Sequence, residues 1–454
     1  FFGISIIILF LARAILPEQT DRSLNQITEH EPFKISVDAD QLHETLLIGD
    51  WHADSALWNR DLSIDNDHGH VDIPKLQKGN VALQMFTTVT KSPSGQNYDK
   101  NETNTRDNIT TLAIVQGWPI KTWTSLYERA VFQSQKIHKL SEENPNDLML
   151  IKSRLDLSSF LEKRKKNTTL IGGLIGTEGS HALDGDLENI KRLYDHGFRM
   201  MSLHHFFDNK LGGSLHGTTG DGLTTFGKNA VELMQDLEII IDVSHSSENV
   251  VKDVLKLSSR PLVVSHTGFN GHCESPRNIS DELMKSIANK GGIIAIGYWD
   301  GAICDNSPKS VASALMFGID LVGEDHLSLG SDFDGSITPG FDTSELVAIT
   351  DWLIKLGATE SQIRKIMGKN MFLFIGFGAV LAPLVGASIG AIGTAQAIGV
   401  PYMLSWTKFY VGDALGVLVI TPVILSRVKF VPLRLWSREQ LIYAALLLMS
   451  SQLI

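Results

Sequence analysis

Histidine and carboxylate residues punctuate this sequence where apolar runs end. "GDWHADS" sets His52 two residues from Asp54, "GTEGSH" contains Glu178, and "SLHH" ends in His204 and His205. "DVSH" ends in His245, "VVSH" in His266, and "GSDFDG" carries Asp332 and Asp334. Imidazole and carboxylate donors without thiolates suit zinc, or another borderline divalent ion, in a catalytic site that keeps open positions. Singly, each has a plain explanation: a satisfied core histidine, or an acidic helix cap. Together they require a common cause. With this many donors, two ions about 3.5–4 Å apart, bridged by a carboxylate and a water, become the expected arrangement, and the chemistry that of a metal-dependent hydrolase. Other chemistries drop out. "GLTTFGKN" (222–229) has the spacing of a phosphate loop, but Asn229 replaces the magnesium-binding Ser or Thr and no strand leads into it. There is no H-E-x-x-H helix motif and no G-x-S-x-G elbow.

A set of donors spread over 280 residues needs a scaffold that gathers them. Eight short apolar runs recur: 45–52, 79–86, 168–175, 198–205, 238–245, 261–268, 291–299 and 326–332. They are nearly continuous in apolar character, as parallel strands covered on both faces are. Helical patterns lie between them, such as "DLENIKRLYDHG" with Gly197 as a C-terminal stop, and "GKNAVELMQDLE". The expected fold is α/β, a (β/α)8 TIM-like barrel, whose strands converge at their C-terminal ends on one mouth. The long connection from 87 to 167 predicts an inserted helical layer.

The chain has 454 residues, 43% hydrophobic and 20% charged, enough to bury a substantial core. Its net charge of −11 argues against a nucleic-acid partner. The charge is uneven: residues 371–454 carry five basic side chains against Asp413 and Glu439, a net of +3, which leaves −14 for residues 1–370. Cys273 and Cys304 are too few for a disulfide framework or a structural zinc site and read as two buried small hydrophobes, with pairing open if the domain is exported. Residues 1–16, "FFGISIIILFLARAIL", read as a truncated signal peptide or membrane anchor. After Asn370 no charge occurs from Met371 to Val400, and 409–426 and 441–454 are also apolar, so residues 372–454 read as a partial multi-span membrane domain.

"DWHADS", "IGTEGSH", "IDVSHSS", "VVSHTGFNGHCESPRNISDE" and "LGSDFDG" resemble, in order and spacing, the membrane dipeptidase (renal dipeptidase) family of zinc peptidases over about residues 44–371. The resemblance implies a binuclear zinc barrel, two Zn2+ per subunit, cleaving dipeptides, many members tolerating a C-terminal D-residue. On its pattern His52 and Asp54 hold one zinc, His245 and His266 the other, and Glu178 bridges them. His205 matches the substrate-side histidine, Arg277 the arginine that holds the substrate carboxylate, and Asp332 the acid/base. A metal-bridging hydroxide would then attack the peptide carbonyl. A metal-dependent amidase acting on N-acyl amino acids and a membrane sensor with a ligand-binding barrel are the alternatives. Expected partners are small dipeptides and membrane lipid through the C-terminal spans; a homodimer is compatible with the reading. "APLVGASIGAIG" and "WTKFYVGDALGVLVITPVIL" resemble the last spans of a bacterial integral-membrane sensory domain. The basic loop "RVKFVPLRLWSR" would lie in the cytoplasm and, counted back two spans, so would the barrel. The N-terminal segment argues instead for a membrane-associated barrel on the periplasmic or extracellular side. The conflict makes a gene-prediction or assembly accident the expected origin of the join.

Overall fold

The computed structural model describes residues 15–377. The expected N-terminal leader or anchor and the expected C-terminal spans lie largely outside the described residues. Among the described residues no helix is long and apolar enough to cross a membrane.

Every apolar run overlaps a strand: β1 (Ile48–Ala53), β2 (Val81–Val89), β4 (Ile171–Glu178), β5 (Phe198–Ser202), β6 (Ile240–Asp242), β7 (Val263–Thr267), β8 (Ile293–Ile296) and β9 (Leu327–Leu329). One further strand, β3 (Leu148–Leu150), lies in the long connection. The order is β2-β1-β9-β8-β7-β6-β5-β4, and β2 pairs with β4 to close the circle. The closing register runs in parallel from Leu83 opposite Gly172 to Val89 opposite Glu178. Strand β3 pairs only with Ile171–Gly173, on the edge of β4 away from β2. It lies in a run of four apolar residues, 148–151, that sequence reasoning did not single out. The expected helical layer is present as Asn108–Val115, Leu126–Glu143 and Arg154–Arg164.

The apolar character of the strands has two uses. One cluster takes Trp51 from β1, Met85 from β2, Leu174 from β4, Met200 from β5, Val263 from β7 and Ala295 from β8, a combination that only the inside of a closed barrel permits. The larger cluster fills the layer between the strands and the surrounding helices. Each fully buried large side chain of this kind contributes about 1.5–3 kcal/mol. After the kink at Gly368, the helix Asn370–Phe377 returns to the N-terminal ends of the strands. There Met371 is fully buried against Gly49, and Phe374 meets Trp51 edge-on at 5.6 Å. The uncharged stretch that opens at Met371 therefore begins with residues whose apolar character serves the barrel core.

Local signals behave as their chemistry requires. The helix Glu188–Asp195 ends before Gly197, which takes φ 96°. "GLTTFGKN" is a loop leading into the helix Thr225–Asp236, capped by the Thr224 side chain. The reading of Cys273 and Cys304 as separate buried thiols is corrected: they form a disulfide with Cα atoms 5.5 Å apart across 31 residues. Neighbouring parallel strands β7 and β8 send their following segments to the same end of the barrel, where the two cysteines meet.

Candidate metal centre

The barrel delivers the expected donors to one place. His52 lies in β1 with Asp54 one residue past its end, Glu178 is the last residue of β4, and His266 lies in β7. His205, His245 and Asp332 each stand three residues beyond β5, β6 and β9. All seven are buried. Two glycines make the approach feasible. A Cβ on Gly330 would stand 1.9 Å from the Ser265 carbonyl oxygen, so only glycine lets the chain leaving β9 cross this close to β7. Gly179, at φ 84°, turns the chain directly after Glu178.

Four imidazoles converge on a single carboxylate. Glu178 Oε1 is 3.5 Å from His52 Nε2, 3.3 Å from His245 Nε2 and 3.4 Å from His266 Nε2; its Oε2 is 3.3 Å from His205 Nε2. His52 Nε2 is also 3.6 Å from Asp54 and 3.9 Å from Asp332. The buried His52 Nε2 has no hydrogen-bond partner. His52, Glu178, His266 and Asp332 offer atoms within 4.8 Å of one another, and so do Glu178, His205 and His245, with Glu178 common to both groups. Buried ring nitrogens and carboxylate oxygens aimed at one point, with His245 Nε2 and His266 Nε2 only 2.8 Å apart, fit cations at that point.

Hydrogen bonding sets the ring tautomers. Ser244 and Ser265 both donate their hydroxyl protons to Asp242, at 2.6 and 2.7 Å. Ser265 Oγ lies 3.1 Å from His52 Nδ1 and 2.8 Å from His266 Nδ1. Its proton is already committed to Asp242, so it accepts from both rings, and both Nε2 atoms are left as bare donors facing Glu178. His205 is fixed likewise, giving its Nδ1–H to the Lys91 carbonyl at 2.9 Å. His204, its neighbour, faces Ser246 instead, and burial pushes its pKa down to about 4.

The electrostatics fit the same reading. Burial disfavours charge on Glu178, yet His205 and the close rings of His245, His266 and His52 hold its carboxyl well below the usual range. Burial pushes Asp332 well above the usual carboxylate range, with Glu178 and Asp54 adding to it against His52 and Arg277. Burial and then Glu178 raise Asp54. Carboxylates crowded in this way lack positive charge where their ligand atoms meet, a deficit that divalent cations would relieve.

Arg277 is fully buried at the rim. It donates to the Ser244 and His266 carbonyls at 3.1 and 2.8 Å and lies over the Trp299 ring at 5.3 Å. Glu178, His205, His245, Arg277 and Asp332 all line one cavity, which puts the space for a substrate directly over the candidate ligands. Tyr98 and Trp299 form part of its wall, with Trp299 Nε1 donating to Tyr98 Oη at 2.8 Å. Sequence reasoning did not single out these two aromatics, nor Asp242 and Ser265. "DVSH" and "VVSH" each place a serine, Ser244 or Ser265, directly before a donor histidine, a pattern that does not by itself report which way those hydroxyls bond.

The membrane dipeptidase model of peptidase family M19 matches residues 37–376. An uncharacterised dipeptidase of Schizosaccharomyces pombe is 25% identical over 322 residues, 66% of this chain and 70% of that protein. An uncharacterised protein from the pqqA 5′ region of Klebsiella pneumoniae is 27% identical over 232 residues, 48% of this chain and 86% of that protein. Among solved structures, the probable dipeptidase PvdM of Pseudomonas aeruginosa superposes with a TM-score of 0.61 at 20% identity, covering 75% of this chain and 97% of that one. A Rhodobacter sphaeroides metallopeptidase liganded with a phosphinate mimic of L-Ala-D-Ala gives 0.59 at 21% identity, covering 73% and 99%. These structures share the barrel fold. The chain is a metallo-dipeptidase and belongs to the membrane dipeptidase family, peptidase family M19.

Proposed function

We propose that the protein hydrolyses dipeptides with two zinc ions held by His52, Asp54, Glu178, His245 and His266, Glu178 bridging the pair. The convergence of imidazole nitrogens on Glu178 within 3.5 Å is the observation that carries this reading. Bound there, the metal pair would supply Lewis acidity to the scissile carbonyl and make the attacking water acidic near neutral pH. The chain supplies the rest. Asp332 takes the proton of the attacking water as a carboxylate, holds it because burial favours its neutral form, and returns it to the leaving amine. His205, oriented by the Lys91 carbonyl, donates to the oxyanion that forms on the carbonyl oxygen when Nε2 as well as Nδ1 carries a proton. Arg277 offers a planar donor pair to the free α-carboxylate, which limits the substrate to a residue or two beyond the scissile bond.

The test uses the full chain with a panel of L,L- and L,D-dipeptides, the L,D set suggested by the L-Ala-D-Ala mimic in the related metallopeptidase. Turnover should appear with zinc, disappear on chelation, and fall by at least about 10²-fold in Asp332→Ala with metal retained. Metal-loaded protein that cleaves N-acyl amino acids but no dipeptide would replace this reading with the amidase.

A further inference from the structure

Asp332 is carried on a loop that few sequences would hold in this shape. Within five residues, Asp332, Asp334 and Ser336 take φ of 61°, 64° and 63°. None is glycine, and left-handed backbone at such residues persists only where the surroundings enforce it. Gly335, Ser336 and Ile337 of the same loop line the cavity, so its shape bears on both the acid/base group and the substrate space.

The restraints come from a segment that precedes the family match. Residues 15–24 are helical, and the family model begins only at residue 37. Asn25 Oδ1 accepts the Ser336 backbone N–H at 3.1 Å. Thr28 N–H donates to the Pro339 carbonyl at 2.8 Å, and Thr28 Oγ1 accepts from Asn306, whose amide also donates to the Thr338 carbonyl. Asp21, almost fully buried, pairs with Arg60 at 2.9 Å, and the same guanidinium pairs with Asp334 at 2.7 Å. Asn25 donates to Asp21 at 2.7 Å, which ties these contacts together. His70 closes a second route. It accepts the Asp334 backbone N–H on Nδ1 at 2.9 Å, so its Nε2 carries the proton and donates to the Gln26 carbonyl at 3.2 Å.

The geometry points to residues 21–28 as a strap that positions the catalytic loop. Asn25 and Thr28 bind the 334–339 turn directly, Asp21 and Gln26 reach it through Arg60 and His70, and together they hold Asp332 in the conformation that turns its carboxyl to the metal ligands. These are positioning residues, since none touches the substrate cavity. The inference rests on Asp332 being the acid/base. Surface segments do not ordinarily make two direct hydrogen bonds to a single loop of the catalytic face and reach it again through Arg60 and His70, and stability alone does not require the strap to end there.

The experiment compares Asn25→Ala and Thr28→Pro with wild type in the zinc-loaded full chain, measuring kcat, KM, bound metal and melting temperature. Thr28 is exposed, so its substitution removes the backbone bond to Pro339 and the hydroxyl that accepts from Asn306 with little risk to the core. The expected result is a fall in kcat of about tenfold to a hundredfold, KM within about twofold, and unchanged metal content. In an Asp332→Ala background, Asn25→Ala should cost nothing further. Strap variants with full kcat beside an inactive Asp332→Ala protein overturn the strap alone. A loss explained by lost metal or a lowered melting temperature also overturns it, by making the segment merely structural. An Asp332→Ala protein that still turns over removes the acid/base reading and the strap's purpose with it.

Discussion

A single hydroxyl, that of Ser265, orients rings that the proposed assignment gives to two different metal ions. It accepts from His52 and His266 because Asp242 has taken its proton. Ser265→Ala would leave two buried imidazole N–H groups without acceptors and free both rings to adopt the wrong tautomer. Metal affinity should fall about 10–100-fold, read by competition with a chromogenic chelator, with the fold intact by circular dichroism. Unchanged affinity would show that packing alone orients the rings. At this scale the sequence was readable where a residue type is rare and chemically explicit, as with His52, Glu178 or His266 at strand ends. It was not readable for Ser265 and Asp242, whose types are common after strands and whose role depends on a hydrogen-bond direction across two neighbouring strands. Cys273 and Cys304 were misread for a related reason: pairing depends on where β7 and β8 send their loops, which no local pattern reports.

Among the elements, the helix Val37–Glu44 is fastened by one buried histidine. His43 Nδ1 meets Thr350 Oγ1 at 2.9 Å on the helix Val347–Lys355, and Nε2 donates to the Gly79 carbonyl at 3.2 Å. Burial lowers its pKa to about 4, against the opposing effects of Gly79 and Asp40. Between pH 6.5 and 4 the unfolded chain therefore binds a proton that the folded chain refuses, so stability is lost as the pH falls through that window. The loss amounts to about 3 kcal/mol. Urea unfolding of wild type and His43→Gln at pH 7 and pH 4 should show a pH dependence smaller by about that amount in the variant. Equal dependence would mean that His43 is protonated in the fold. The eight main strands were legible because each is a run of apolar residues buried on both faces. Strand β3, with three residues, and the strap, whose contacts cross some 300 positions of chain, were not.

For the molecule as a whole, the disulfide ties the segment that carries Arg277 to the segment after β8. Closing a loop of about 31 residues stabilises by roughly 3–4 kcal/mol through the unfolded chain. A Cys273→Ser/Cys304→Ser protein should lose about that much in denaturant unfolding, and wild type in reductant should match it; a much smaller loss would mean that the surrounding packing already holds the loops together. The barrel itself was legible as an architecture, since eight apolar runs alternating with helical patterns admit few alternatives. Its lower boundary was harder to read, because Met371 to Ile375 are as apolar as a membrane span while packing against Trp51 and Gly49. These two flanks of the barrel give the chain a direction in space. Residues 25–28 reach the fold at the rim of the cavity, whereas residues 371–375 leave it at the opposite, sealed end. A label placed at the exposed Glu29 thus stands beside the loop that lines the cavity, and one placed at Leu373 stands at the opposite ends of the strands. Immobilising the enzyme through these two positions in turn would give two different accessibilities from one and the same active site.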